Sequence, residues 1–341
     1  EHKRKLDDLD NLNLKKKIKK DKHIEINSLE ELISFAQDIN LDDIADYNFD
    51  IKRLYHLIEP LKDLENLVGM KKVKENIVNQ IIFHLQQLDS HNKHMMHTVI
   101  YGPPGVGKTE LGKIIGNIYC ELGLLDYNNY SFHVIKRTDL IGKYLGQTAI
   151  KTQAAIDKCD GGVMFIDEVY SLGSPEKRDS YSKECIDVIN QNLSEKKSSF
   201  ICIIAGYKDA VDNCFFAQNA GLERRFPYRY EIDNYSPNEL REIFIRLVKK
   251  SEWKINDNNN DNIKLEFFED NINYFKFNGG DLENLLEQVK IAHSRRIFGL
   301  SNTHRKVIIY KDILNGFDKF KENNNLDKQK NNKSPIPPMY S

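Results

Sequence analysis

No apolar run in this 341-residue chain approaches the ~18 residues that a bilayer-spanning helix needs, and its charged N-terminus does not read as a secretory leader. Cysteine is sparse. The five residues (Cys120, Cys159, Cys185, Cys202, Cys214) are scattered, with no C-x-x-C pair and no histidine at ligand spacing. Neither a disulfide framework nor structural zinc is expected, and a reducing compartment fits. An excess of charge is missing too: 50 Lys and Arg against 51 Asp and Glu leave a net charge of -1, which argues against a generic nucleic-acid coat. Any charged partner must be met locally. Together these absences describe a soluble, intracellular, cytoplasmic protein. Its first residue is Glu1 rather than methionine, as in an excerpt of a longer chain.

The length suits two or three domains. Residues 1–62 form a charged, helical N-terminal segment. Its run Lys15–Lys22, KKKIKKDK, reads first as a solvated face and second as a nuclear address or phosphate-binding arm. Ser28 and Glu31 make a capping box ahead of Leu29, Leu32, Ile33, Ala36 and Ile39 at helical spacing. Across 63–234, short apolar runs (TVIY at 98–101, FHVI at 132–135, VMFI at 163–166, FICIIAG at 200–206, YRYEI at 228–232) alternate with helical stretches. That pattern predicts an α/β domain with a parallel sheet covered on both faces. Ser236, Pro237 and Glu239 then open a helix, and 235–321 reads as a small all-α domain. NDNNNDN at 256–262 is a polar insert, and 322–341 is expected to be a disordered tail.

GPPGVGKT, residues 102–109, fits the spacing G-x-x-x-x-G-K-[ST] and lies between an apolar strand and a helical pattern. Gly102, Pro103, Pro104, Gly105, Val106 and Gly107 form the nucleotide-binding loop, whose glycines would let backbone N–H groups turn toward phosphates, with Glu110 on the helix that follows. Lys108 would reach the β- and γ-phosphates and Thr109 would hold Mg²⁺. VMFIDE supplies the other half. Asp167, at the end of its strand, would bind the hydrated Mg²⁺, and Glu168 would orient and polarise the attacking water. The cofactors expected are therefore ATP and Mg²⁺.

With LVGM, GPPGVGKT, DLIGKYLGQTAIKT, GGVMFIDEVYSL, IAGYKD and GLERRFPY in this order over about residues 64 to 300, the chain resembles the AAA+ ATPases, most nearly the CbxX/CfqX-type group. The resemblance implies a P-loop NTPase domain followed by a helical lid, assembled as a homo-oligomeric ring, usually a hexamer. Val68 and Gly69 would enclose the adenine. Arg225 takes the arginine-finger position, with Arg224 competing. Two positions depart from the family pattern. Tyr207 stands where many relatives carry a polar sensor residue; contact with water or phosphate and simple packing are both open. Gly280 stands at the sensor-2 arginine position, and Lys290, Arg295 or Arg296 would have to substitute for it, or the lid would be coupled less tightly to ATP.

Lys143, Tyr144, Leu145 and Gly146 follow the second strand where many AAA+ remodellers carry a substrate-gripping pore loop. An aromatic ring offers sequence-tolerant contact, and glycine lets the loop swing. The favoured function is ATP-driven threading or remodelling of a protein substrate. A nucleic-acid motor or loader and an ATP-gated scaffold with weak turnover are the alternatives, and inward packing of Tyr144 and Leu145 is the plain structural one.

Overall fold

The computed structural model describes residues 24–39, 49–88, 95–144, 146–173, 176, 179–195, 199–256 and 263–331. Lys15–Lys22, Leu145, residues 257–262 of the polar insert and the tail beyond 331 lie outside the described residues. The chain divides into two compact units, Glu1–Pro103 with Gly107–Asp233, and Pro104–Val106 with Asn234–Ser341.

Among the described residues of the first unit, three helices come first, α1 (Leu29–Asp38), α2 (Ile51–His56) and α3 (Ile58–Asn66). Ser28 Oγ accepts from Glu31 N at 3.2 Å, and Asp50 caps α2 by accepting from Arg53 N at 3.1 Å. Each cap satisfies a backbone donor that the first helical turn leaves open. The apolar stripe Leu29, Leu32, Ile33 and Ala36 is buried, as are Leu54, Leu57, Leu61 and Leu64. Helix α4 (Lys71–Leu85) buries Val73, Ile77, Val78, Ile81 and Leu85 along one face.

The sheet of this unit has five parallel strands in the order β2-β3-β4-β1-β5: β1 Thr98–Tyr101, β2 Phe132–Ile135, β3 Val163–Ile166, β4 Ile201–Gly206 and β5 Tyr228–Glu231. Every residue of β1, β3 and β4 is buried, which is why these strands read as continuous apolar runs rather than alternating ones. Helices α5 (Lys108–Glu121), α6 (Arg137–Leu140), α7 (Gln147–Asp157), α8 (Ser180–Glu195) and α9 (Lys208–Cys214) connect the strands. Because all strands are parallel, their C-terminal ends share one edge of the sheet. Tyr101 pairs with Gly206, and Ile166 with Ile204, so the turns after β1, β3 and β4 emerge side by side. That edge is where open α/β sheets bind ligands.

The second unit is built on α10 (Pro237–Lys250), α11 (Leu265–Asp270), α12 (Gly279–Arg296) and α13 (Tyr310–Asn331). Ser236 N donates to Glu239 Oε2 at 2.7 Å while Ser236 Oγ accepts from Glu239 N at 3.4 Å, with Pro237 at the first helical position. Leu240, Phe244, Phe267, Phe268, Phe275, Leu282, Leu285, Val289, Phe317 and Phe320 form its core. A parallel two-residue pair, β6 (Lys254–Ile255) with β7 (Val307–Ile308), is an addition to the helices. Two residues are too short to leave a period in the sequence. Helix α13 continues to Asn331, past residue 322, where composition alone predicts that order ends. Composition registers the scarcity of apolar residues there, whereas a helix already docked through Ile313, Phe317 and Phe320 extends one hydrogen bond at a time.

Candidate functional site

The turn after β1 carries the P-loop motif into α5. Gly107 stands at the N-cap with φ 86°, a left-handed conformation that suits glycine. Lys108 Nζ donates to Gly102 O at 3.0 Å and Pro103 O at 2.7 Å. Burial lowers its pKa, opposed by the nearby Asp167 and Glu168 carboxylates. Thr109 Oγ1 donates to Asp167 Oδ2 at 3.1 Å, and Asp167 Oδ1 accepts from Glu168 N at 3.0 Å. Residues 58 positions apart in sequence thus present two hard oxygen donors side by side, the donor chemistry that Mg²⁺ takes. Glu168 has a left-handed backbone, φ 50° and ψ 44°. A non-glycine residue held there stores strain, and such strain concentrates at functional sites.

Two aromatic rings stand beside this group, Tyr207 at the sensor position and Tyr170, which is not singled out in the sequence. The Tyr207 ring lies 5.8 Å from Lys108 Nζ, and the Tyr170 ring lies 6.0 Å from that of Tyr207. Burial, then the charge and hydrogen bonding of Glu168, push the Tyr170 phenol up to about 12. Tyr207 therefore offers its ring to Lys108. The clue to Tyr170 was only its place in IDEVY, two residues beyond Glu168.

The AAA family model, "ATPase family associated with various cellular activities", matches residues 98–232, which hold all of these groups. The chain is 45% identical over 278 residues to the cfxQ-like protein of Acanthamoeba polyphaga mimivirus, covering 81% of this chain and 68% of that protein. It is an AAA ATPase of the cfxQ-like group. The AAA ATPase is also 36% identical to stage V sporulation protein K of Bacillus subtilis, across 58% of this chain and 64% of that protein. It thus spans about two thirds of the length of these two relatives. The FIGL-1 AAA domain, crystallised in complex with ADP, shares the fold at 16% identity, with a TM-score of 0.53 over 90% of this chain and 98% of that one.

The remaining candidate residues of this ATPase are placed as follows. Val68 is buried and Gly69 has φ 70°, just ahead of α4. Glu110 lies on the surface of α5, 3.5 Å from Lys113 Nζ. Arg225 Nε donates to Ser194 Oγ at 2.6 Å, and its Nη1 donates to Gly221 O. Arg224 is exposed. Arg225 is therefore held in a defined position at the turn Glu223–Arg225, while Arg224 extends into solvent.

The loop between α6 and α7 is tied down at its base and open at its tip. Gly142 N donates to Thr148 Oγ1 at 3.1 Å, Thr152 Oγ1 to Leu140 O at 3.1 Å, and Lys151 Nζ to Ile141 O at 3.1 Å. Between these anchors, Lys143 and Gly146 are exposed and Tyr144 is 69% exposed. The aromatic ring does not fold inward. Ile150, 73% exposed on the first turn of α7, adds a second outward apolar side chain. Helical spacing alone did not assign its face.

In the second unit, Gly280 lies in the first turn of α12, and a Cβ added there would meet nothing within 4 Å. The cations considered as substitutes have other surroundings. Lys290 pairs with Glu287 at 2.7 Å. Arg296 donates to Asp312 at 2.7 and 2.9 Å and to Val307 O at 3.1 Å. Arg295 is exposed on the same helix.

Proposed function

We propose that this AAA ATPase couples ATP hydrolysis to the pulling or threading of a polypeptide through a ring of its own copies. The family is one of ATP hydrolases, and its members usually act as oligomers; the ring, its six-fold order and the polypeptide substrate are the proposal. The observation that carries the reading is the pairing of two features. One is Lys108, Thr109, Asp167 and Glu168 gathered at one edge of the sheet. The other is a loop anchored at both ends that holds Tyr144 out in solvent.

In this reading Lys108 leaves its carbonyl partners to meet the β- and γ-phosphates. Thr109 and Asp167 hold Mg²⁺, which supplies charge neutralisation at the phosphates. Glu168 accepts a proton from the water that attacks the γ-phosphorus, the bond to the β,γ-bridging oxygen breaks, and the products are ADP and phosphate. Arg225 of one copy neutralises developing charge at the site of the next. Val68 and Gly69 line the base. Lys143, Tyr144, Leu145 and Gly146 contact the polypeptide, with Ile150 beside them.

Tyr144→Ala is expected to keep basal ATP turnover within about twofold of the wild type while losing its stimulation by an unfolded protein. Full retention of that stimulation would remove the loop from the account. Stimulation by single-stranded DNA and not by unfolded protein, falling steeply with salt, would replace the polypeptide by a nucleic acid.

Arg225→Ala is expected to lower turnover by about 10³-fold at unchanged ADP affinity. It should also destabilise the fold by about 1 kcal/mol through its lost hydrogen bonds to Ser194 and Gly221. Normal turnover in that variant, with a collapse in Arg224→Ala, would transfer the role to Arg224.

A further inference from the structure

The apex of the P-loop, Pro104–Val106, belongs to the same compact unit as the helical domain. Three consecutive carbonyls explain why. Pro104 O accepts from Asn278 Nδ2 at 3.2 Å, Gly105 O from Gly279 N at 3.0 Å, and Val106 O from the Tyr235 hydroxyl at 2.8 Å. The donors are themselves fixed. Asn278 is 1% exposed, and its side chain also donates to Asn234 Oδ1 at 3.0 Å and accepts from Tyr235 N at 3.1 Å. Its backbone sits at φ 50°, ψ -115°, a conformation that needs surrounding contacts to hold it.

The approach is close enough to dictate residue type on both sides. At Gly105, with φ +73°, a Cβ would fall 2.1 Å from Phe277 O, and at Gly279 a Cβ would fall 2.8 Å from Gly105 O. Any side chain at either position would force these backbones apart.

A peptide unit is planar, and in the trans form its C=O and the next N–H point in opposite directions. Among the described residues there are no cis peptide bonds. With the carbonyls of Pro104, Gly105 and Val106 turned toward Asn278, Gly279 and Tyr235, the N–H groups of Gly105, Val106 and Gly107 are turned away from them. None of these three N–H groups donates to a protein acceptor among the described residues. A row of unengaged backbone donors is the arrangement that receives phosphate oxygens.

We infer that Asn278, Tyr235 and Gly279 are positioning residues for the nucleotide phosphates: by holding three carbonyls they aim the three N–H donors of the P-loop apex. The inference rests on the proposed phosphate role of Gly102–Thr109. It gives the helical domain a backbone means of acting on phosphate binding in a chain whose residue 280 is glycine. Burial raises the Tyr235 phenol to about 12, so its hydroxyl remains a donor at neutral pH. The holding is done by uncharged groups, so nucleotide affinity should depend on the geometry of this contact rather than on an added cation.

The test compares wild type, Tyr235→Phe and Asn278→Ala for ADP binding by calorimetry and for steady-state ATP hydrolysis, with thermal unfolding to verify the fold. Tyr235→Phe keeps the ring and removes one hydrogen bond. It is expected to weaken ADP binding about fivefold and to raise KM for ATP by the same factor, with kcat within about twofold of wild type. Asn278→Ala is expected to have a larger effect of the same kind. Should it fail to fold, Tyr235→Phe carries the test alone. Wild-type affinity in a folded Tyr235→Phe variant overturns the inference while leaving the phosphate reading standing. A wild-type protein that binds no ADP overturns both.

Discussion

Glu168→Gln is expected to bind ATP and scarcely hydrolyse it. The side chain lies two residues beyond the end of β3, on a strained left-handed backbone whose N–H is held by Asp167 at 3.0 Å. Glutamine matches glutamate in shape, so the strand, the Asp167 contact and the Tyr170 neighbour are undisturbed. The basic oxygen is lost. Removing a positioned general base costs typically 10² to 10⁴ in rate, so kcat should fall by at least about a hundredfold, with ATP affinity within about twofold of wild type. Turnover near the wild-type level would show that the base is another group. A variant that also lost ATP would point instead to a structural role for Glu168. If it holds ATP as expected, Glu168→Gln is also the form with which to capture and identify the proposed polypeptide substrate.

The largest effect on stability is expected in the helical domain. Asp312 is fully buried and accepts from Arg296 Nε at 2.7 Å, from Arg296 Nη2 at 2.9 Å and from Ile309 N at 3.1 Å, with His293 Nδ1 3.1 Å away. Burial pulls its carboxyl toward a higher pKa. The hydrogen bonds from Arg296, Ile309 and His293 more than offset that pull, and the net pKa is lowered. Asp312→Ala leaves the guanidinium and the buried imidazole facing a cavity, and breaking a buried pair in this way costs about 3 to 5 kcal/mol. Denaturant unfolding of the helical domain should register that loss, and a change under about 1 kcal/mol would contradict it. The pH dependence has a definite sign. A carboxyl whose folded pKa lies below its unfolded value of about 3.9 contributes stability that is fully present above that value. The contribution is lost as pH falls through the lower folded pKa. In Asp312→Ala this acid-side loss should be absent.

Much of this molecule is local in origin, and that part is legible in sequence. A parallel strand buried on both faces must be a short apolar run, so TVIY, VMFI and ICIIAG mark themselves. Caps at Ser28 and Ser236 bond three residues ahead, within reach of any reading of spacing. The P-loop and IDE motifs declare their chemistry because few other functions need those residue types together. What stayed hidden depends on distant chain segments. Arg225 finds Ser194 31 residues away, and Asn278 finds Pro104 at a separation of 174; neither pairing has a local period. Gly280, read alone, marks the place of a missing arginine. Beside it, Asn278 and Gly279 touch the P-loop apex through groups that no charge pattern could reveal. The helical extension to Asn331 was masked for a related reason, since docking of a helix's early turns does not show in the composition of its last ones.

The central claim is that Gly102–Thr109 forms the ATP-phosphate site of this chain. Calorimetric titration of ATP in the presence of Mg²⁺ into wild type and Lys108→Ala tests it most directly. Lys108 is half-buried and bonded to Gly102 O and Pro103 O at one end of the loop, so its truncation is expected to leave the fold standing and to remove the charge that, in the proposed site, meets the phosphates. The account predicts saturable binding by the wild type and affinity at least about tenfold weaker in Lys108→Ala, with an unchanged unfolding temperature. Equal affinity in the two proteins would contradict it.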